Sequence, residues 1–322
     1  MEKNLLKNKS KSIKSETKRE SRKTFAFSPL LLKAKIGDTI FNSLLKSSGY
    51  FIIILIVAFL ATLFISALPS IKKFGFGFFT SSVWDPRADV YGALAFIVGT
   101  LLTSLIALAI SLPFSMSISI LLSQYLKRGF LANAVKIVTE LLAGIPSVIY
   151  GFWGFMFLSP LVKNVAKWLF GIEVVGYGVL TSSIVLAIMI VPYCASISRE
   201  VIDLVPKDLQ EAAYALGATK FEVITTIVLP YAFSGIFAGI VLSLGRALGE
   251  TMAVTMVIGN RNELPSGLLS PANTIASVIA NNFNEADGLM MSSLIELGFI
   301  LMVISAVINF TGKYIIKKFS VK

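Results

Sequence analysis

Two ionisable residues, Arg246 and Glu250, lie inside a long apolar stretch of the chain, four positions apart. That spacing puts two side chains on one face of a helix. A basic side chain near the centre of a membrane helix costs roughly 2.5–3.5 kcal/mol, so it faces protein or water and not lipid. Two chemistries fit such a pair. Arg246 and Glu250 can form a buried staple between helices. Alternatively, the planar guanidinium can hold an oxyanion through two hydrogen bonds, with Glu250 positioning it or supplying a counter-charge. Exchange of Glu250 for the anion would then give two states with different charge partners. Both uses are open at this point.

A second constellation precedes the first. Between two apolar runs lies Pro206-Lys-Asp-Leu-Gln-Glu-Ala-Ala-Tyr-Ala-Leu-Gly217, continuing through Thr219 and Glu222 to Leu229-Pro230. Pro206 suits a first helical position, Asp208 favours the first turn, and Gly217 suits the residue after a helix end. Thr219 and Glu222 fit a capping box that starts a second helix. The pattern predicts two short helices joined at Gly217 and held close to a membrane as a rigid handle. A soluble DNA-reading helix-turn-helix has the same punctuation, but apolar spans on both sides argue against it and against a nucleic-acid partner. An interfacial loop with no partner is the other alternative. The chain has no phosphate-binding loop, because its Gly312-Lys313 pair is followed by Tyr314 and lacks the upstream glycine. Work done through this loop must draw on a partner or an ion gradient.

The elements that must position these residues are membrane helices. The chain of 322 residues is 55% hydrophobic and only 15% charged, with mean hydropathy +0.80, which is far more apolar than a soluble domain. A single cysteine, Cys194, and no histidine exclude a disulfide framework and the usual zinc or haem sites, so no cofactor, metal or catalytic group is expected. Six runs approach the roughly 20 apolar residues of a span: Tyr50–Leu68, Ala93–Leu122, Ile137–Leu158, Val179–Ile197, Tyr231–Ile258 and Leu294–Thr311. Pro113, Pro146 and Pro192 should kink or break theirs. Gly235/Gly239 and Gly245/Gly249 allow close approach of a neighbouring helix. Six spans with the N-terminus inside place only Lys72, Lys73, Arg87, Lys163, Lys167 and Arg261 outside. With Arg246 inside a span and every other Lys and Arg on the inner side, the positive-inside rule puts both termini in the cytoplasm.

Further residues resolve into lesser candidates. Glu140 reads as a helix-start or snorkelling residue at the cytoplasmic edge of the third span, and Glu296 as an interfacial residue near the outer end of the last. Thr103, Ser104, Ser111, Ser115 and Ser119 could line a pathway, although bonding back to helix carbonyls is the commoner use of such hydroxyls. The Lys-rich stretch up to Arg22 reads as a disordered basic tail that attracts anionic lipid. The apolar run after it reads as an uncleaved anchor.

Glu211-Ala212-Ala213, Gly217 and Leu229-Pro230 together resemble the "EAA" loop of the permease subunits of binding-protein-dependent ABC importers. The resemblance implies an all-α integral membrane protein with six transmembrane helices and the type I importer permease (MetI-like) fold. It also implies a coupling helix seated in a groove of a separate ATPase. Gly245-Arg-Ala-Leu-Gly-Glu-Thr-Met-Ala-Val-Thr255 with Ile258-Gly-Asn260, Trp84-Asp85-Pro86 with Tyr91-Gly-Ala-Leu94, and Glu140–Ser147 with Tyr150-Gly151 are similar to the phosphate-importing PstC family. The Met-Ala-Val continuation favours that family over the sister PstA permeases. The implied organisation is a cytoplasmic tail over 1–49, a first span over 50–68 and an extracytoplasmic loop over 69–91. A permease core would cover 92–313, with its coupling loop at 206–230, and a tail 314–322. By the same resemblance Arg246 and Glu250 serve phosphate passage, and Glu211, Ala212, Ala213 and Gly217 serve ATPase coupling. The implied partners are a PstA-like permease, two ATP-binding subunits and an extracytoplasmic phosphate-binding protein. Permeases for phosphonate, sulfate or molybdate, and an ion-driven secondary transporter, are the alternatives; the latter should show internal repeats and need no docking loop.

Overall fold

The structure is a computed structural model that describes residues 28–126 and 128–319. The Lys-rich stretch before Ser28 and the last three residues, on which part of the orientation argument rests, lie outside the described residues. Six helices among the described residues are long and apolar enough to cross a membrane: Ile40–Phe74, Leu94–Tyr125, Ser147–Phe170, Val179–Asp203, Lys220–Leu248 and Gly288–Lys318. The expected number of spans is found, with altered boundaries.

Helix α1, Ser28–Phe74, begins well before the expected first span, because apolar residues at helical spacing (Ile36, Ile40, Phe41, Leu44, Leu45) continue the pattern upstream. The chain divides into two compact units after Thr62. In the first, Ile40 to Phe59 present exposed apolar side chains, as a lipid-facing helix requires.

The second unit opens with the end of α1. It is followed by α2 (Gly77–Thr80) and a two-residue antiparallel ladder in which Trp84 of β1 (Trp84–Asp85) faces Tyr91 of β2 (Val90–Tyr91). Asp85 Oδ1 accepts the Arg87 amide at 2.9 Å and fixes the turn between the strands. Trp84 packs edge-to-face on Tyr91 and on Phe96 in a buried cluster that also holds Phe78, Leu294 and Leu297. The Tyr91 phenol, outside the membrane helices, has its pKa raised first by burial and then by Asp89.

Helix α3 (Leu94–Ile120) ends in a π-helical turn, Leu121–Tyr125. The next apolar run, expected as one span kinked or broken at Pro146, is broken there. It forms two helices, α4 (Phe130–Gly144) and α5 (Ser147–Trp153), because Pro146 takes an extended ψ of 138° and ends the first. The span then starts at Ser147 and continues through a π turn, Gly154–Leu158, into α6 (Ser159–Phe170). Helix α7 (Val179–Asp203) runs through Pro192, as α3 runs through Pro113, without interruption.

Helix α8 (Lys207–Ala215) is followed by the single turn α9 (Lys220–Val223), a π turn over Ile224–Val228, and α10 (Leu229–Leu248). Pro230 explains that turn, since without an N–H it leaves the carbonyl four residues back unbonded and the wider turn absorbs the mismatch. Pro160 stands in the same relation to Gly154–Leu158. Beyond α10 come α11 (Met252–Val257), α12 (Ile275–Asn282) and the last span, α13 (Gly288–Phe319). The largest buried cluster joins α3, α5, α7 and α11 through Leu186, Ile190, Tyr150, Val254 and Val257.

Candidate functional site

The fifth span does not continue to Ile258. Helix α10 stops at Leu248, Gly249 leaves the helix, and Glu250 lies in the junction before α11. Arg246 and Glu250 therefore do not share one helix face, and no ion pair links them among the described residues. The physical reason is a competing demand. The first amides of α11 lack helical partners, and Glu250 Oε1 accepts the Ala253 N–H at 3.2 Å. Of the two uses left open, the staple is not formed, and Glu250 bonds the start of α11 instead.

This leaves Arg246 in the last turn of α10, where a cation complements the helix dipole. Its guanidinium lies over the ring of Tyr193 on α7, 5.4 Å from the centroid, a distance at which the ring's negative face attracts a cation. Tyr150 of α5 is within its electrostatic reach, and the Tyr150 hydroxyl donates to Leu142 O at 2.7 Å. The ring face attracts the cation's charge and leaves its N–H donors unused. Those donors suit an anion with two adjacent oxygens. Arg246 is exposed, and Tyr193 and Glu250 are partly so. Tyr193 was not singled out in the sequence; its only signal is an aromatic residue beside Pro192 in a facing span.

The glycines behave unequally. A Cβ on Gly235 would fall 2.4 Å from Val201 and one on Gly239 2.9 Å from Ile197, so α10 and α7 approach closely there. Gly245 has open space and Gly249 only the helix's own backbone nearby, because the helix ends between them. The hydroxyls of Thr103, Ser104, Ser111, Ser115 and Ser119 are buried and bond back to helix carbonyls, with Ser115 and Ser119 also donating across to Val191 O and Ala195 O of α7. Ser115 and Ser119 thus pin α3 to α7, while Thr103, Ser104 and Ser111 bond only within α3. Glu140 is exposed beside Lys136 at 3.7 Å on the surface of α4. Glu296, expected at the interface, is buried instead, with Oε2 unpartnered. Ser70 donates its backbone N–H to Ser292 and shares a hydroxyl hydrogen bond with Ser293 nearby, closing α13 against the end of α1. Among the described residues no cluster of three His, Cys, Asp or Glu side chains is placed to hold a metal.

The loop before α10 is built as its caps require. Pro206, expected at the first helical position, is instead the residue before α8, where its ψ of 131° is extended, and Lys207 is the first helical position. At the far end Gly217 has φ +88°, donating to Tyr214 O at 2.9 Å while Ala218 donates to Ala213 O at 3.1 Å. These two bonds form a complete Schellman motif and need the left-handed conformation that glycine tolerates. Thr219 and Glu222 form the expected capping box, with the Thr219 amide and hydroxyl on Glu222 Oε2 at 2.7 and 2.8 Å. No residue of α8 is buried. Ala213 and Ala218 turn inward onto a cluster of Ile202, Val205, Val223, Val228 and Ala232, while Glu211, Ala212, Tyr214 and Leu216 face outward. The paired alanines have distinct uses: Ala213 lets the helix rest close on its base, and Ala212 leaves its outer face flat.

Comparison with known proteins places this architecture. Residues 111–321 match the family described as binding-protein-dependent transport system inner membrane component. The phosphate transport system permease protein PstC of Pasteurella multocida is 42% identical over 305 residues, covering 90% of this chain and 95% of that protein. In fold, the chain matches a component of a bacterial alginate ABC transporter at TM-score 0.60, with 19% identity over 86% of this chain and 95% of that one. It also matches the inward facing MetNI methionine ABC transporter at TM-score 0.53, with 17% identity over 71% and 94%. Both have a type I importer permease fold, as expected from the EAA loop. A match over residues 111–321 and near-full-length identity above 40% lead to one assignment: the chain belongs to the binding-protein-dependent transport system inner membrane component family, in its PstC branch.

Proposed function

We propose that the chain is the non-catalytic permease subunit that carries inorganic phosphate across the cytoplasmic membrane, with both termini inside. Its partners are a PstA-like permease, two copies of an ATP-binding subunit and an extracytoplasmic phosphate-binding protein. The observation that carries the reading is Arg246, a guanidinium oriented by Tyr193, with no carboxylate at ion-pair distance among the described residues and set at the break of a membrane helix. A phosphate oxyanion satisfies the in-plane donors, and Glu250 maintains the break by capping α11. The exposed face of α8, with Glu211, Ala212 and Tyr214, receives the ATPase. Ala213 and Gly217 hold that face at a fixed angle to α7 and α10. Closure of the ATPases then pushes α8 and rocks the spans between outward and inward access.

The cargo is tested with the complete complex in proteoliposomes containing ATP and supplied with the binding protein. Labelled phosphate uptake should persist in about a hundredfold excess of sulfate, molybdate or a phosphonate, since a site matched to one anion excludes others through unpaired groups. Uptake of one of those anions in place of phosphate would reassign the cargo while leaving the transporter class intact.

A further inference from the structure

Helix α3 is fastened to α7 along one face by serines four residues apart. Ser115 donates to Val191 O at 3.2 Å and Ser119 to Ala195 O at 2.9 Å. The next rung differs. Within the π turn Leu121–Tyr125, Ser123 donates to the Asp203 carboxylate, Oδ1, at 2.5 Å, and Gln124 Nε2 donates to Ser123 Oγ at 3.1 Å. The extra residue accommodated by a π turn shifts the face of the helix, so the third serine meets a side chain and not the next carbonyl. Ser123 is 1% and Gln124 7% exposed. Asp203 is also held by Arg199 Nε at 3.6 Å. It is the last residue of α7, immediately before the segment that leads into α8.

The same turn reaches the other end of the loop. Lys220 Nζ, at the first position of α9, lies 4.1 Å from the centroid of the Tyr125 ring, well inside the range of a cation–π contact. Two residues of the π turn that ends α3, two positions apart, thus hold the chain before the coupling helix and after it. A cleft of about 250 Å³ adjoins the Asp203 contact, lined by Ser123, Gln124, Arg199, Asp203, Lys207 and Gln210.

We propose that the turn Leu121–Tyr125 is a clamp: Ser123 and Tyr125 bind the end of α3 to the segments on either side of the coupling helix, so that α3 and α7 follow that helix as one body. This rests on the coupling role assigned above to α8. The clamp has a direct geometric path to the candidate anion site. Val191 and Ala195, which accept the upper serine rungs, flank Tyr193, whose ring carries Arg246 of α10. Movement of α3 and α7 together displaces Tyr193 relative to Arg246, whereas α7 moving alone would strain the serine rungs. Ser123 and Tyr125 are positioning residues, acting through the loop and not on the cargo.

The test uses the full complex in proteoliposomes, recording ATP hydrolysis and phosphate uptake together. The double variant Ser123→Ala/Tyr125→Leu should hydrolyse ATP at a rate within about twofold of the wild type while phosphate carried per ATP falls roughly tenfold, as expected for loss of one charge-assisted hydrogen bond and one cation–π contact. Tyr125→Phe keeps the ring face and should retain the wild-type ratio. An unchanged ratio in the double variant, or a Tyr125→Phe ratio as low as that of Tyr125→Leu, would overturn the clamp. If the double variant does not assemble, Ser123→Ala alone decides: a ratio lowered about threefold supports the clamp and an unchanged one overturns it. Gly217→Pro serves as the reference. Loss of coupling there with a normal ratio in the clamp variants rejects the clamp but not the docking role of α8, and normal coupling in Gly217→Pro rejects the docking role itself.

Discussion

Replacement of Arg246 by glutamine is expected to lower phosphate uptake by roughly a hundredfold, the equivalent of about 3 kcal/mol for a lost charge-assisted pair of hydrogen bonds. Complex assembly should survive. Arg246 is exposed at the end of α10, makes no ion pair among the described residues and contacts the Tyr193 ring, so removing its charge strands no buried partner. Arg246→Lys should recover only part of the loss, because an ammonium on a flexible stem keeps the charge but neither stacks nor presents a planar fork. The measurement is labelled uptake at saturating binding protein, normalised to the amount of complex recovered. An Arg246→Gln complex that transports at the wild-type rate would remove the site from the pathway.

Gly217→Pro should have a comparably large effect through a different route. The residue sits at φ +88° and its N–H bonds to Tyr214 O. Proline cannot adopt that φ and has no N–H, a combination that costs about 3 kcal/mol or more where both are required. The Schellman turn opens, α8 loses its angle to α9, and the inward contacts of Ala213 and Ala218 are lost with it. The expected result is loss of stable ATPase association on affinity purification, or an associated ATPase whose hydrolysis no longer drives uptake. Because the capping box begins α9 independently, the six spans themselves should remain folded. A Gly217→Pro complex that is fully assembled and coupled would show that the loop angle carries no force.

The parts of the account that were legible in the sequence are those governed by local chemistry. Six spans follow from long apolar runs, and the Thr219–Glu222 box and the Gly217 turn follow from residues within one or two turns of each other. The misplaced boundaries have equally local causes that hydropathy does not register. Ile137 to Leu158 is apolar enough to suggest one span, so the span's start is misplaced although a break at Pro146 is among the expectations. Leu248 to Met252 offers no proline, and the apolar pattern resumes in α11, so the break at Glu250 was hidden. Arg246 and Glu250 were identified as functional candidates, but the inference that they face one another assumed an unbroken helix.

What remained out of reach depends on contacts between segments distant in sequence. Tyr193 under Arg246, the burial of Glu296, the Ser70–Ser293 hydroxyl bond, and the Asp203 and Lys220 contacts of Ser123 and Tyr125 are set by how α1, α3, α7, α9, α10 and α13 pack. The four-residue serine spacing in α3 was visible as a pattern. Its use as a seam to α7 was not, because a back-bonded hydroxyl and one that also bridges to a neighbour have the same sequence signature.

The central claim, an anion pathway in this chain driven through α8 by a separate ATPase, is tested most directly by labelled phosphate uptake into proteoliposomes holding the whole complex. The binding protein is supplied on its docking side and ionophores abolish every ion gradient. Uptake that requires ATP on the ATPase side and continues at full rate without any gradient is the predicted result. Uptake driven by an imposed ion gradient in vesicles lacking the ATPase would contradict it.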